Sequence, residues 1–300
     1  MVPFFAIKLL QYLSHSPHIQ GTGGQGNRLN AVIEGGIFRD NILFNFIHML
    51  ESPVTDLHNF DSLPDNLIVD REDPIRVLIL DLLLSNTELR GTTFAHFLLG
   101  FDTKGPLEKT VLSNPVSDHT CFHVILDHLD QDVENFAGSP LYNDHPHLAE
   151  RCYHLVYALS ANPKTSFPTM TYLRQNHNFF KKHLEYLPIG PSFETSVGSA
   201  PQQIDLQFDL MGNYSYNNRN EEETEFISKI HCRAWLLKSV ALELHTSPSK
   251  KQVRQTQELL HLLFSSPSVS ERTTLLFFPR PFSPVVVLTV FFCLPSRGGL

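Results

Sequence analysis

Apolar residues recur at the spacing of one helix face along most of the chain between residues 28 and 264. The clearest case begins at Asp73 and Pro74. This pair is typical of a helix start, because Asp accepts backbone N–H bonds and proline loses none at the first helical position. The stripe that follows consists of Ile75, Leu78, Ile79, Leu82 and Leu83, with Val77, Leu80 and Leu84 beside it. A helix that is apolar on most sides predicts burial between neighbouring helices.

Further stripes with the same spacing predict helices elsewhere. They comprise Leu43, Phe46, Ile47 and Leu50; Phe122, Ile125, Leu126 and Leu129; Leu148, Cys152, Leu155, Val156 and Leu159; Leu237, Val240, Ala241 and Leu244; and Val253, Leu260, Leu263 and Phe264. Ser247 and Pro248 are predicted to start the last of these helices. No strand alternation and no Asn-Gly hairpin signal stand out between residues 28 and 264. The pattern therefore predicts an all-α fold. Because the helices follow one another without a fixed repeat period, we expect an irregular α-solenoid of stacked helix pairs over residues 4–266.

Two segments depart from the helical pattern. Residues 189–225 are rich in Ser, Asn, Gln and Gly and end in a run of glutamates, so they predict a disordered surface loop inside the solenoid. Residues 267–300 are rich in Phe, Pro and Val and predict an atypical, unstructured tail, which we hypothesise to be an altered terminus. The apolar run at 284–294 is shorter than the roughly 20 residues of a membrane helix, so we expect no transmembrane span.

Composition narrows the class of protein. The 300 residues carry a net charge of -8, with 42% hydrophobic and 18% charged residues, as in a lightly charged globular protein. An acidic balance disfavours direct binding of nucleic acid, which usually needs a basic surface. The four cysteines are far apart and indicate reduced, buried thiols: Cys121, Cys152, Cys232 and Cys293.

Two patterns could hold a ligand, and each has a simpler interpretation. Residues 21–26 match the Gly-rich dinucleotide motif, but they follow a predicted helix at 4–15 instead of a strand, so we favour a loop. His119, His123 and Asp127 are spaced four residues apart and could bind zinc on one helical face. We favour plain helix-surface residues, because 16 histidines make such spacing easy to find by chance.

The remaining candidate groups also favour structural roles. The histidines at 15, 18, 145 and 147 lie at predicted helix ends, and Cys152 belongs to an apolar stripe. Lys181, Lys182 and His183 are interpreted as a solvated helix face. The aromatic residues predicted to pack in the core or in helix grooves are Tyr153, Tyr157, Phe167, Tyr172, Phe179, Phe180, Tyr186 and Trp235. We therefore predict no catalytic, cofactor-binding or metal-binding residue.

Several apolar segments also carry a family resemblance. They read FAHFLLGF (94–101), CFHVIL (121–126), LAERCYHLVY (148–157), PTMTYLR (168–174), LEYLP (184–188), WLLKSVALEL (235–244) and TQELLHLLF (256–264). In order and spacing they resemble the large inner-ring scaffold nucleoporins of the 205/192/188-kDa family, most closely its 205-kDa branch. The similarity covers residues 7–264.

This resemblance implies a structural role. We expect a constituent of the inner ring of the nuclear pore complex, at the nuclear envelope of the nucleus, that acts as a scaffold for nucleoporin assembly and nucleocytoplasmic transport. It implies binding to other inner-ring and linker nucleoporins, a peripheral position on the envelope, and neither a cofactor nor a small-molecule substrate. We expect an interior portion of a longer scaffold, and no enzyme. The alternative is an α-solenoid protein-binding adaptor outside the pore.

Overall fold

The structure, a computed structural model, describes residues 2–16, 19, 28–51, 74–89, 91–112, 118–134, 141–142, 145–186, 216–246 and 253–264. The chain divides into one unit over Met1–Leu262 and a second over Leu263–Leu300, and most of the second lies outside the described residues. Every regular element in the described ranges is helical, so the predicted all-α class is confirmed.

The helices of the described ranges are numbered in chain order. They are α1 (Val2–His15), α2 (Arg28–Gly35), α3 (Arg39–Glu51), α4 (Pro74–Thr87), α5 (Phe94–Leu98), α6 (Cys121–Glu134), α7 (Pro146–Ala161), α8 (Ser166–Tyr172), α9 (Phe179–Tyr186), α10 (Tyr216–Thr246) and α11 (Val253–Phe264). A 3-10 turn (Leu107–Lys109) lies between α5 and α6, and a π-helical turn (Leu173–His177) joins α8 to α9. The irregular solenoid over residues 4–266 stays a prediction.

Helix α4 is buried between neighbouring helices, as its apolar pattern predicts. Pro74 is its first residue, and α4 packs mainly against α7 and α1, with further contacts to α5 and α3. All eight predicted apolar residues are buried, and Ile79, Leu82 and Leu83 are each 0% exposed. Burial of one such side chain contributes about 2 kcal/mol to stability. We use the name α4 core for Ile75, Leu78, Ile79, Leu82 and Leu83.

The stripes predicted for α3, α6 and α7 are confirmed. Leu43 on α3 is half-buried, and the other members of the three stripes are buried. On the buried face of α3, Phe46 packs edge-to-face on Phe94 of α5, with ring centroids 5.7 Å apart. The spacing of apolar residues therefore placed these three helices with the correct face inward.

The C-terminal end of α3 is held by side chains from two other helices. His128 on α6 donates to the Leu50 carbonyl oxygen at 2.9 Å, and Arg76 on α4 donates to the Glu51 carbonyl oxygen at 2.9 Å. The last carbonyls of a helix have no donor within the helix, so these contacts satisfy them. Burial lowers the pKa of His128, which keeps its ring neutral near pH 7.

Helices α5 and α6 begin with the same local arrangement of Thr and His. The Thr93 N–H donates to His96 Nδ1 at 3.0 Å, and the Thr120 N–H donates to His123 Nδ1 at 3.1 Å. Each histidine occupies the third helical position, where Glu or Gln usually closes a capping box. Gly100, with φ of +87°, lies against the second box, since a Cβ there would come within 2.8 Å of Thr120 Cγ2. Glycine alone fits that position without strain.

The stripe predicted on α10 is wrong in its orientation. The face that packs along α7 carries Ser228, Cys232, Leu236, Ser239, Val240 and Glu243, all buried. Of the predicted stripe, Val240 is buried, Leu237 and Leu244 are half-buried, and Ala241 is exposed. Half of the buried face is polar, so a search for apolar periodicity could not locate it.

Helix α10 also begins earlier than predicted. The disordered loop was expected to reach residue 225, yet residues 216–225 are helical. Glutamate has a high helix propensity, so this acidic run is compatible with the extension of α10. Residues 187–215 lie outside the described residues, and so does the predicted tail at 267–300.

The stripe predicted on α11 is wrong as a buried face. Val253 is 50% exposed, Leu260 38% and Phe264 60%, whereas Leu259 is the buried residue of this helix. The helix begins at Val253, and the predicted start at residues 247–248 lies outside the described residues. An apolar stripe can thus lie exposed when no described neighbour covers it.

Candidate interaction surfaces

The residues considered as a zinc set do not converge on one point. His123 is buried in the capping box of α6, and His119 stacks on it with ring centroids 5.8 Å apart. His119 Nε2 lies 3.0 Å from Glu51 Oε1, while Asp127 is exposed. Within the described ranges, no group of three or more His, Cys, Asp or Glu side chains is placed to hold a metal ion. The interpretation as a helix-surface residue is therefore wrong for His123, which is buried and caps the start of α6.

Two further histidines end or begin helices, as predicted. His15 Nδ1 lies 2.7 Å from the Gln11 carbonyl oxygen in the last turn of α1, and His145 is the residue before α7. His18 and the Gly-rich residues 21–26 lie outside the described residues. The interpretation of the Gly-rich segment as a loop therefore stays a prediction.

His147 takes part in a hydrogen-bond network between α7 and α10. Its Nδ1 lies 2.7 Å from Ser228 Oγ, which donates to a carboxylate oxygen of Glu150. The other oxygen of Glu150 lies 2.8 Å from Nδ1 of His231. These contacts satisfy polar groups between two packed helices, which is what buried polar side chains require.

The cysteines within the described residues are free and buried, as predicted: Cys121, Cys152 and Cys232. Burial raises the pKa of the Cys121 thiol well above its ordinary value, so the reactive thiolate is disfavoured. Cys293 lies outside the described residues.

The prediction of a solvated face at residues 181–183 is wrong for His183. This ring is 0% exposed, with the Tyr153 hydroxyl 2.9 Å from its Nδ1 and Asp130 Oδ1 3.1 Å from its Nε2. Lys182 Nζ lies 3.3 Å from the other oxygen of Asp130, and Lys181 Nζ lies 3.4 Å from a carboxylate oxygen of Glu258. All three side chains therefore contact other helices, and the two lysines remain partly exposed to solvent.

His183 is buried because it shares a helix face with aromatic residues. Phe179, one turn earlier on α9, packs on it with ring centroids 4.0 Å apart. The predicted core packing of the aromatic residues is confirmed for Tyr153, Tyr172, Phe179 and Phe180, which are buried. Tyr157 and Trp235 are half-buried, Phe167 is 69% exposed, and the side chain of Tyr186 lies outside the description.

A second charged contact anchors α10. Arg174 Nε donates to both carboxylate oxygens of Glu243, at 2.7 and 2.8 Å, and the Glu243 side chain is 4% exposed. Charge-assisted bonds of this kind are stronger than neutral ones and compensate the burial of the carboxylate. We use the name polar junction for Asp130, Tyr153, His183, Arg174 and Glu243.

A groove of about 1030 Å³ lies between α3, the loop after α5 and the start of α6. Its lining includes Phe44, which is 63% exposed, and Val111, which is 86% exposed. Charged residues of both signs also line it: Arg39, Asp40, Glu51, Asp102, Lys104, Lys109 and Asp118. Exposed apolar side chains beside mixed charges are typical of a surface that binds a protein segment, whereas a phosphate backbone requires a basic one.

Known proteins place this helical architecture in a family. The family described as "Nuclear pore complex scaffold, nucleoporins 186/192/205" matches residues 1–286. The chain belongs to this family. It is 32% identical to the human nuclear pore complex protein Nup205 over 210 residues, 69% of this chain and 9% of the relative. It is 31% identical to NUP205 of Arabidopsis thaliana over 199 residues, 64% of this chain and 9% of the relative.

The family resemblance seen in the sequence is confirmed by these matches. The aligned part spans about a tenth of the length of each curated relative. Across the part of the chain that the structure describes, no helix combines the length and the apolarity needed to cross a bilayer.

Proposed function

We propose that this chain is a structural segment of a nuclear pore complex scaffold, located at the nuclear envelope and serving nucleoporin assembly and nucleocytoplasmic transport. The observation that supports this most is the family match over residues 1–286, together with two curated relatives that are nuclear pore complex proteins. The helical fold suits the role, since packed helices present long surfaces to protein partners.

The state of the reactive side chains supports a structural role and no catalysis. His123 closes a capping box, His183 is bonded between Tyr153 and Asp130, and the Cys121 thiol is kept protonated by burial. A catalytic base or nucleophile must reach a substrate, and each of these groups is instead occupied inside the fold.

The partners that we propose are other inner-ring and linker nucleoporins, and the groove beside α3 is the candidate surface. Its volume, exposed aromatic ring and mixed charges would accommodate an extended segment of a linker protein. A Phe44→Asp, Val111→Asp double variant should reduce capture of such partners, because it places charge where apolar contacts form. The control is Tyr12→Asp, which changes an exposed aromatic residue (77%) on α1 outside the groove.

Localisation of the tagged protein, expressed from its own locus, tests the proposal. We expect concentration at the nuclear rim and capture of pore scaffold proteins. Diffuse cytosolic staining with recovery of transport receptors or unrelated peptides would favour the adaptor outside the pore instead. The family match does not favour that alternative.

A further inference from the structure

Helix α10 has a second apolar face, opposite the one that packs on α7. Its residues are Ile227, Ile230, Ala234, Leu237, Ala241 and Leu244, which alternate in steps of three and four. We use the name α10 seam for these six residues. In the heptad notation of coiled coils they occupy every a and d position from 227 to 244. The buried face, represented by Ser228, Cys232 and Ser239, occupies the b and f positions.

The α10 seam is partly accessible to solvent, most of all near its N-terminal end. Ile227 is 48% exposed and Ile230 44%, Ala241 is exposed, and the remaining three residues are half-buried. The main neighbours of α10 among the described helices are α7, on the opposite face, and α9. Arg233, beside the seam, contacts α9 by donating a hydrogen bond to the Leu184 carbonyl oxygen at 3.4 Å.

The spacing of the α10 seam fits one kind of occupant. A strict three-four alternation over 18 residues is the geometry in which one helix packs lengthwise against another, over about 27 Å at 1.5 Å per residue. Its a positions are Ile227, Ala234 and Ala241, so two of the three are small. Small residues there leave space for large side chains of the facing helix.

The flanking charges specify the chemistry of that helix. The e and g positions beside the seam hold His231, Arg233, Lys238 and His245, together with Phe226 and the buried Val240. Between residues 227 and 245 the sole acidic residue in the sequence is Glu243, which lies on the far side and binds Arg174. Three of the flanking side chains also have partners inside the fold: Lys238 Nζ lies 3.9 Å from the centroid of Trp235, His231 lies against Glu150, and Arg233 donates to the Leu184 carbonyl oxygen.

We propose that the α10 seam binds an amphipathic helix of another protein, one with large apolar residues at three-four spacing and acidic residues beside them. A second copy of α10 is disfavoured, because the same face would bring Arg233 and Lys238 against the same cations. Opposite charges at e and g positions set partner choice in paired helices, and like charges oppose pairing. This inference rests on the proposed function in one respect: it gives the scaffold a second surface for a protein partner, besides the groove beside α3.

A pair of matched peptides tests the charge requirement. Both are helical, about 18 residues long, with Leu at the seam-facing positions; one has Glu beside them and the other Lys. Fluorescence anisotropy with the 300-residue chain should show the Glu peptide binding at least about tenfold more tightly than the Lys peptide. Equal binding of the two peptides, or no binding of the Glu peptide, would overturn the proposal.

Matched substitutions locate the binding surface. Ile230→Glu should weaken binding of the Glu peptide by about tenfold or more, since it places a like charge in the seam. Ile37→Glu, at a turn residue that is 90% exposed, should leave binding unchanged. Far-UV circular dichroism of both variants should match the parent, because neither residue is buried. Unchanged binding by Ile230→Glu would contradict a site on α10.

Photo-crosslinking in cells identifies the natural occupant. With benzoylphenylalanine at position 230 of the protein expressed from its own locus, the crosslinked peptide should come from another protein and show acid-flanked apolar residues at three-four spacing. A crosslink to the same chain, to a second copy, or to no protein would overturn the proposal. If the unmodified protein does not concentrate at the nuclear rim, the proposed function is contradicted. The α10 seam proposal is not, because peptide binding is measured on the purified chain.

Discussion

The α4 core and the polar junction connect helices by different means. The α4 core consists of aliphatic side chains that pack without specific pairing, and its central residues are fully inaccessible. The polar junction joins α6, α7, α9 and α10 through groups that must meet in pairs, such as Tyr153 with His183 and Arg174 with Glu243. Apolar packing tolerates small shifts, whereas a charge pair loses its compensation when one partner leaves. The two regions should therefore fail differently under mutation and acid.

The largest expected effect is in the α4 core. Leu83→Ala should lower the free energy of unfolding by about 4 kcal/mol, because it removes three buried carbons and leaves a cavity. Urea unfolding followed by circular dichroism measures the change. Leu9→Ala on α1, where the side chain is 58% exposed, is the matched control and should cost less than about 1 kcal/mol. Similar losses for both would mean that α4 does not form the core.

In the polar junction, Glu243→Ala should cost about 3 kcal/mol, because the Arg174 guanidinium is left without its carboxylate. An Arg174→Met, Glu243→Leu double variant should recover most of that loss, since it replaces the pair with apolar packing. Glu258→Ala, which removes more exposed ion pairs with Lys181 and Arg254, should cost much less stability than Glu243→Ala, because solvent screens exposed pairs. If the double variant is as unstable as the single one, pairing is not what the junction requires.

Acid should destabilise the fold through His96 on α5, a helix that packs against α4. Burial, helped by the positive charge of Lys164, lowers the pKa of His96 from 6.5 to about 4. The unfolded chain then binds this proton more readily than the folded one. The contribution of neutral His96 to the free energy of unfolding is therefore fully present above pH 6.5. It is lost as the pH falls from 6.5 towards 4, and the loss is about 2 kcal/mol at pH 5. His96→Gln keeps a capping side chain at the third helical position but does not titrate.

The pH dependence of unfolding, compared between the parent and His96→Gln, checks this expectation. The difference between pH 7 and pH 5 should be smaller in the variant by about 2 kcal/mol. The same pH dependence in both proteins would show that another group causes the acid sensitivity.

The smallest expected effect is the loss of one hydroxyl in the polar junction. Tyr153→Phe should cost about 1 kcal/mol, because His183 Nδ1 loses its partner while the ring packing stays. Thermal unfolding should show the change. Tyr157→Phe, which keeps the contact of its half-buried ring with Trp235, provides the comparison and should have a smaller effect. A larger loss for Tyr157→Phe would reverse the assignment.

The sequence predicts helices well where the buried face is apolar. The pattern at α4 gives the first residue, the buried face and the need for neighbours on several sides. It fails at α10, where Ser228, Ser239 and Glu243 are buried. The predicted residues Leu237 and Leu244 belong instead to the α10 seam on the opposite face, where they are half-buried. Burial of polar residues depends on partners distant in the chain, and a local pattern contains no record of them.

Two histidines show which signals could have been found. His123 stands three residues after Thr120, the spacing of a capping box, whereas its four-residue spacing from His119 and Asp127 alone favours a helix-surface residue. His183 stands on the apolar stripe of Phe179, Phe180 and Leu184, which indicates burial despite the lysines before it. The groove beside α3 could not be predicted, because it is formed by residues from three separated segments.

Gly100 allows the start of α6 to lie close to the end of α5, because glycine has no Cβ that would collide with Thr120. The Thr120 methyl group occupies the space next to Gly100 that a side chain would need, so the close approach of these two segments depends on glycine at this position. A methyl group added at residue 100 would collide with the Thr120 side chain, so one of these two groove-lining residues would have to move. The shape offered to a partner there thus depends on a residue that presents no side chain at all.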